Sequence, residues 1–253
     1  MKVNLHTHTV RCGHAEGTDE EYVLAALEKG YDMLGFSDHT PFPFEDGSTG
    51  GRMADLEEYI GSVRALEEKY KGKINIRVGL ECEMYPRYLD YLRQIRPKLD
   101  YMILGSHGDI FRGAPHSAQL RQPQQLWHYL EETVAGMETG LFLYLAHPDI
   151  MFGEYPTFDD TARQVSRQLC REANRLGLPL EYNLLGVLKG RDETRLGYPC
   201  DAFWEVAAEE NVRAVVGVDA HAPHQIQIGD LEGAQKKLRN LGLQVLENPL
   251  EAG

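Results

Sequence analysis

No run of apolar residues in this chain approaches the ~18 that would suggest a membrane span, and the first ten residues, MKVNLHTHTV, hold no apolar signal core. A cytoplasmic protein is expected. Cysteine is sparse: Cys12, Cys82, Cys170 and Cys200 form no CxxC pair and no framework spacing, so the thiols read as reduced. Cys12 and Cys82 lie near motifs discussed below, but their local pattern reads as packing. Basic residues are outnumbered, 26 against 39, leaving a net charge of −13. Nucleic-acid binders present basic faces that neutralise phosphates, so a small substrate fits this chain better than a long polyanion. There is no GxSxG elbow for a serine nucleophile. No low-complexity tract or Pro/Ser-rich linker divides the sequence.

What is present is regular alternation. Short apolar runs at Val3–Leu5, Met33–Phe36, Ile74–Leu80, Tyr101–Leu104, Leu141–Ala146, Leu178–Tyr182 and Val212–Val218 read as strands. Between them Asp19–Lys29, Met53–Tyr70, Gln124–Thr139, Thr161–Leu176 and Leu231–Leu241 carry helical periodicity. Strand–helix alternation of this kind predicts an α/β fold with a parallel sheet and helices packed outside it. With 253 residues, of which 42% are hydrophobic, the chain can bury a full core. A single barrel-like domain over residues 1–253, with about seven strands, is expected. Local signals agree: Thr18 with Glu21 fits a capping box, and Gly30 and Gly177 follow helical stretches as left-handed caps. Pro41–Gly51 and Pro148–Pro156 read as loops.

Most of the ten histidines fall at the ends of expected strands. His6-Thr7-His8 ends the first and Ser37-Asp38-His39-Thr40 the second. Gly105-Ser106-His107-Gly108 ends the fourth and Ala146-His147-Pro148-Asp149 the fifth. Gly217-Val218-Asp219-Ala220-His221 closes the seventh. The third brings carboxylates to the same level with Glu81 and Glu83, and His14 follows the first in a glycine-containing loop. In a parallel barrel all these ends share one mouth, and residues two apart on a strand point the same way. Any one histidine alone is weak evidence, but so many buried imidazoles without a cation would leave polar atoms unpaired or force costly protonation. Imidazole with carboxylate suits zinc, iron or manganese, and the lack of thiolate argues against a structural finger. His128, in a helix, reads as structural or exposed; His116 and His224 lie where they could approach a substrate.

HTHT at 6–9, SDHT at 37–40, GLE at 79–81, GSH at 105–107, AHPD at 146–149 and DAH at 219–221 resemble the PHP (polymerase and histidinol phosphatase) superfamily. RCGHAEG at 11–17, EYV at 21–23 and LEYN at 180–183 look most like its stand-alone L-histidinol-phosphate phosphatases. The resemblance implies a distorted TIM-like (β/α)7 barrel with a site for up to three divalent metal ions (zinc, iron or manganese). By motif, His6, His8, Glu81 and Asp219 would hold one ion. Glu81 would bridge to a second held by His107 and His147, and His14, His39 and His221 would hold the third. One departure is GVDAH, where GSDAH is expected; Val218 should point away from the metals by strand alternation.

The activity this implies is hydrolysis of L-histidinol phosphate to L-histidinol and phosphate, in histidine biosynthesis. A hydroxide activated by the metals would attack phosphorus directly, with no phospho-enzyme. Glu81, Asp219 and His221 are the candidate catalytic groups. Arg191 and Arg195, in the loop after strand six, are the candidates for binding phosphate; a solvated charged loop is the plain alternative. Arg52 and Arg112 are weaker candidates. Glu83 and His116 are candidates for contacts with the rest of the substrate. Phe42 and Phe44 read as loop packing, with an apolar substrate wall as the alternative. Two other functions remain open: a phosphoesterase of this fold acting on a nucleotide, oligonucleotide or other small phosphoester, and a metal-binding regulatory module without turnover.

Overall fold

A computed structural model describes residues 1–44, 53, 55–108, 114–190 and 194–251. Strands β1 (Val3–Asn4), β2 (Met33–His39), β3 (Asn75–Cys82) and β4 (Tyr101–Leu104) pair in parallel in chain order. Strands β5 (Leu180–Asn183), β6 (Arg213–Gly217) and β7 (Gln244–Val245) form a second parallel set. The fold is α/β with a curled parallel sheet, as the alternating pattern predicts.

The seven-strand ladder expected from the sequence is not continuous among the described residues. Leu141–Ala146 is not built as a strand; only Leu145 makes isolated parallel bridges, to Leu104 on one side and Leu180 on the other. The physical reason is local. Pro179, facing this segment, offers its carbonyl to Leu145 N–H but has no N–H to return. The chain then leaves the ladder at His147, whose backbone turns left-handed (φ 30°) just before Pro148. A third bridge joins Thr7 to Ala220, beyond the end of β6. Strand β7, two residues long, has too short a pattern to read from sequence.

Helices α1 (Asp19–Glu28), α2 (Leu56–Lys69), α4 (Pro123–Met137), α5 (Asp160–Leu176) and α9 (Leu231–Asn240) lie close to the expected spans. Helix α1 opens on the full Thr18–Glu21 capping box, and Gly177 ends α5 at φ 67°. Four shorter helices, α3 (Leu89–Ile95), α6 (Leu184–Lys189), α7 (Asp201–Glu209) and α8 (Pro223–Ile228), span too few turns for the 3.6-residue period to stand out. Pro148–Phe152, within an expected loop, forms a 3-10 turn. Among the described residues no helix is long and apolar enough to cross a membrane.

The main core lies between sheet and helices and runs from Tyr22 to Leu243. A smaller cluster, Val3, Leu5, Met33, Tyr101, Ile103, Tyr144, Ala146 and Val215, fills the inside of the curl and draws on both parts of the sheet. Tyr101 crosses this interior, and its one hydroxyl proton is shared between the carbonyls of Leu5 and Phe36, the former closer. It fits because β2 and β3 carry Gly35 and Gly79 beside it, where any Cβ would collide with its ring or hydroxyl. Stepping two residues at a time from this plug towards the strand ends, the inward positions become Glu81, His107, Glu181 and Asp219. On these strands apolar filling below and polar groups above share one parity, whereas β1 breaks it between Leu5, which faces the interior, and His6, which faces the centre.

The seam between β1 and the end of β6 depends on Asn4. Its buried amide donates to His6 O and Thr7 Oγ1 and accepts from Val218 N–H at 2.9 Å. Asn4→Ala strands these groups inside the protein, at about 1–3 kcal/mol for an unsatisfied buried group. Urea denaturation of the metal-free variant should show a stability loss on the order of 3 kcal/mol; an unchanged midpoint would mean that the seam is held otherwise.

Candidate metal centre

The strand ends converge on Glu81. This buried carboxylate is the penultimate residue of β3, and five imidazoles approach it: His147 Nε2 at 2.8 Å, His39 Nδ1 at 3.1 Å, His8 Nε2 and His107 Nε2 at 3.5 Å, and His6 Nε2 at 3.7 Å. A second carboxylate, Asp219, lies across the cluster, with Oδ1 3.1 Å from His8 Nε2 and 3.4 Å from His6 Nε2. His14 and His221 meet at the outer edge, their Nε2 atoms 3.1 Å apart. Donor atoms lie within 4.8 Å of one another in several sets that could hold an ion: His6 with His8 and Glu81, His6 with His147 and Asp219, His39 with Glu81 and His107, and His14 with His39 and His221.

The hydrogen bonds behind the rings decide which nitrogen faces the centre. His14 Nδ1 lies 3.0 Å from Cys12 O, and His221 Nδ1 lies 3.0 Å from Asp219 O. A carbonyl only accepts, so each Nδ1 carries a proton, and each neutral ring turns a bare lone pair inward. Two lone pairs 3.1 Å apart repel unless a proton or a cation lies between them. His6 Nδ1 is likewise committed to Glu181 Oε1 at 2.8 Å, and His107 Nδ1 to Glu83 Oε1 at 3.2 Å. A ring that donates one nitrogen to a carboxylate and presents the other is the arrangement metal-ligating histidines adopt. Asp219 Oδ1 and His147 Nδ1 are buried without a hydrogen-bond partner. Donor type, convergence and unmatched acceptors all fit divalent cations.

Protonation follows the same electrostatics. Burial opposes the charged form of His6, but Glu181, Asp219 and Glu81 outweigh it and hold its pKa well above the ordinary 6.5. His8 is buried too, and the neighbouring carboxylates of Asp219 and Asp38 raise its pKa in the same way. Burial disfavours ionised Glu81 and Asp219, yet the surrounding imidazolium charge, chiefly His107 for one and His6 for the other, pushes both well below the usual carboxylate range. His221 goes the other way: burial and the charge of His8 push it down to about 3. Without metal, protons supply the positive charge this cluster needs.

Backbone geometry at the site is unusual. His147 and Asp219 have positive φ, 30° and 54°. Left-handed backbone at residues bearing a Cβ is disfavoured, by about 1–3 kcal/mol each, and must be held by its surroundings. His147 N–H donates to Glu181 Oε2. Behind the same loop, Asp149 accepts from Cys200 N–H and Trp204 Nε1, tying it to the start of α7.

His116 lies beside the cluster, its ring 5.2 Å from that of His107, and burial with the charges of His107 and His147 lowers its pKa to about 4. It lines a cavity of about 500 Å³ together with Gln119, Glu154, Lys189, Arg195 and Tyr198. Arg191, Arg52 and Arg112 lie outside the described residues. Glu83 is buried against His107. Phe42 is fully buried, 4.9 Å from Tyr85, so it packs the loop and forms no wall. Val218 sits in the main core, turned from the donors. His128 and His224 are exposed on helices.

Sequence reasoning gave no part to Glu181, Asn183, Asp38 or Cys12. The structure sets Glu181 behind His6, and Asn183 between Glu181 and Asp219. Asp38 Oδ1 lies 3.5 Å from His8 Nδ1. The Cys12 sulfur is within 4.8 Å of donor atoms of His8 and His221. The two-residue spacing of Glu181 and Asn183 at the end of a strand was the available signal.

Fold and donors together define a class: an α/β protein with a nitrogen- and oxygen-donor centre for divalent cations at the carboxyl ends of parallel strands. The chain belongs to the PHP domain family, which residues 4–184 match. A probable histidinol-phosphatase of Deinococcus radiodurans is 29% identical over 255 residues, covering 94% of this chain and 92% of that one. The histidinol-phosphatase of Bacillus subtilis is 34% identical over 113 residues, 40% of this chain and 42% of its own. The fold is shared with histidinol phosphate phosphatase of Lactococcus lactis, solved with zinc, L-histidinol and phosphate: TM-score 0.73, 18% identity, 97% of this chain and 95% of that one.

Metal uptake should therefore displace protons. Because His6 and His8 hold theirs above 6.5, zinc competes with protons up to and beyond that pH. Apparent zinc affinity of the metal-free protein is expected to rise with pH and to keep rising past 6.5, with acid released in weakly buffered titrations. An affinity flat from pH 5 to 8 contradicts this.

Proposed function

We propose that this chain is a metal-dependent phosphomonoesterase that hydrolyses L-histidinol phosphate to L-histidinol and phosphate. The observation that carries the reading is Glu81 ringed by five imidazoles beside a cavity bearing Arg195 and Lys189. The whole chain, residues 1–253, acts as one catalytic unit, its curled sheet serving as a distorted seven-unit barrel; the single-residue bridges at Leu145 and Thr7 support that closure.

The proposed ligands are His6, His8, His14, His39, Glu81, His107, His147, Asp219 and His221, sharing up to three ions of zinc, iron or manganese. Bound divalent ions lower the pKa of water and withdraw charge from phosphoryl oxygens. The chain supplies the rest. Glu81 and Asp219 remain ionised in the interior and concentrate positive charge where phosphate must sit. His221 stays neutral and keeps a lone pair turned to the centre.

Arg195 and Lys189 bring cationic groups to the cavity wall, and a guanidinium matches phosphate oxygens bidentately. Glu154, on the same cavity wall, lies 3.7 Å from Arg195 Nη1. Arg191 is assigned to the same task from its place in the loop. His116, held neutral, can exchange hydrogen bonds with the organic part of the substrate, and Glu83 offers a carboxylate to its cationic groups. The cavity is of the size that takes a small metabolite, within the range of roughly 300–1,000 Å³.

The decisive experiment is phosphate release from a panel of L-histidinol phosphate, nucleotides, sugar phosphates and p-nitrophenyl phosphate, before and after chelation. Preference for L-histidinol phosphate by orders of magnitude, abolished by chelator and restored by manganese or zinc, is expected. Preference for another ester would change the substrate; no turnover with any metal would remove the enzyme reading. Arg195→Ala should lower kcat/KM about 10-fold or more, the worth of a hydrogen bond to a charged group. Unchanged kinetics would take Arg195 out of the site.

A further inference from the structure

Glu181, on β5, is fully buried, and its two carboxylate oxygens serve different partners. Oε1 is 2.8 Å from Nδ1 of His6. Oε2 accepts from the backbone N–H of His147 at 3.1 Å and from Nδ2 of Asn183 at 3.0 Å. Nδ2 of Asn183 also lies 3.1 Å from Asp219 Oδ2. A single carboxylate therefore touches the imidazole of His6 and the main chain of His147, and reaches Asp219 through one amide. These groups come from three separate strand ends.

The space it fills is made for it. A Cβ at Gly217, on the neighbouring β6, would collide with Glu181 Oε1 and come within 3.1 Å of His6 Cβ. Only glycine leaves room for the carboxylate at this point of closest approach. Burying a carboxylate is costly unless its oxygens are matched by donors, and here they are matched by groups whose own orientation matters. The proton on His6 Nδ1 leaves Nε2 as the nitrogen that faces Glu81 and Asp219. The bond from His147 N–H restrains a residue held at φ 30°.

We propose that Glu181 is a positioning residue of the metal centre. It engages His6 through Nδ1, so that Nε2 is the nitrogen turned to the centre, and it holds the left-handed turn of His147, so two parts of the centre depend on one side chain. The inference rests on the metal-dependent reading above.

Glu181→Gln tests it, because glutamine presents a single acceptor at nearly the same volume. If its oxygen serves His6, an N–H confronts the N–H of His147. If it turns over, His6 meets a donor and is driven to the wrong tautomer. Zinc affinity of the metal-free variant, read by competition with a chelating dye, is expected to fall about 10- to 100-fold, as when partners behind metal ligands are lost. Circular dichroism should be unchanged. A purely structural carboxylate would lower the melting temperature and leave the affinity alone; that result in a folded variant overturns the proposal.

A second measurement needs no variant. In the zinc-loaded parent protein, long-range ¹H–¹⁵N spectra should show His6 with a proton on Nδ1 and Nε2 coordinated. Coordination through Nδ1 overturns the proposal even if Glu181→Gln fails to fold. If the parent protein takes up no zinc at all, the metal-dependent reading itself falls, and this inference with it.

Discussion

A carboxylate cannot remain ionised inside a protein unless positive charge comes to meet it, and Glu81 is the point around which this molecule solves that problem. Five imidazoles from four other strand ends approach it within 4 Å. The arrangement requires the parallel strands to end at one level; on β2, β3, β4 and β6 the inward parity is kept from the interior up to the donors, while β1 shifts it between Leu5 and His6. A one-residue slip in any strand would exchange a donor for a core residue. The register of the sheet and the composition of the centre are the same constraint seen at two scales.

The donors are held by neighbours that are themselves buried and polar. Asn4 ties the end of β1 to that of β6, and Asp149 anchors the loop after His147. Left-handed backbone at His147 and Asp219 is a local conflict placed at the centre itself. Conflicts of that kind gather where function overrides local preference.

Much of this was legible from residue order alone. Histidines and acids placed after short apolar runs announced a common mouth, and the longer helices announced themselves by period and cap. The Thr18–Glu21 box appears as expected. Strand five was the failure of pattern reading: Leu141–Ala146 has strand composition, but it faces Pro179 and runs into His147-Pro148, so its ladder shrinks to single bridges. Glu181 was passed over for a different reason. A lone glutamate in LEYN carries no sign of which partner it faces, and only the packing of β5 between Leu145 and β6 puts it against His6. Short helices such as α6 and α8 turn too few times for any period to emerge.

Tyr101 gives the molecule a floor. Its ring and hydroxyl occupy the interior below the carboxylates, bonded to two strands and flanked by the two glycines that admit it. Traffic to the centre must then use the face opposite this plug, at the carboxyl ends of the strands, in both directions. Whatever is seated deepest, against the donors, is covered by whatever lies above it and is the last to depart. A small molecule resting against the donors would enter and leave by the same face, so nothing new reaches them until it has gone.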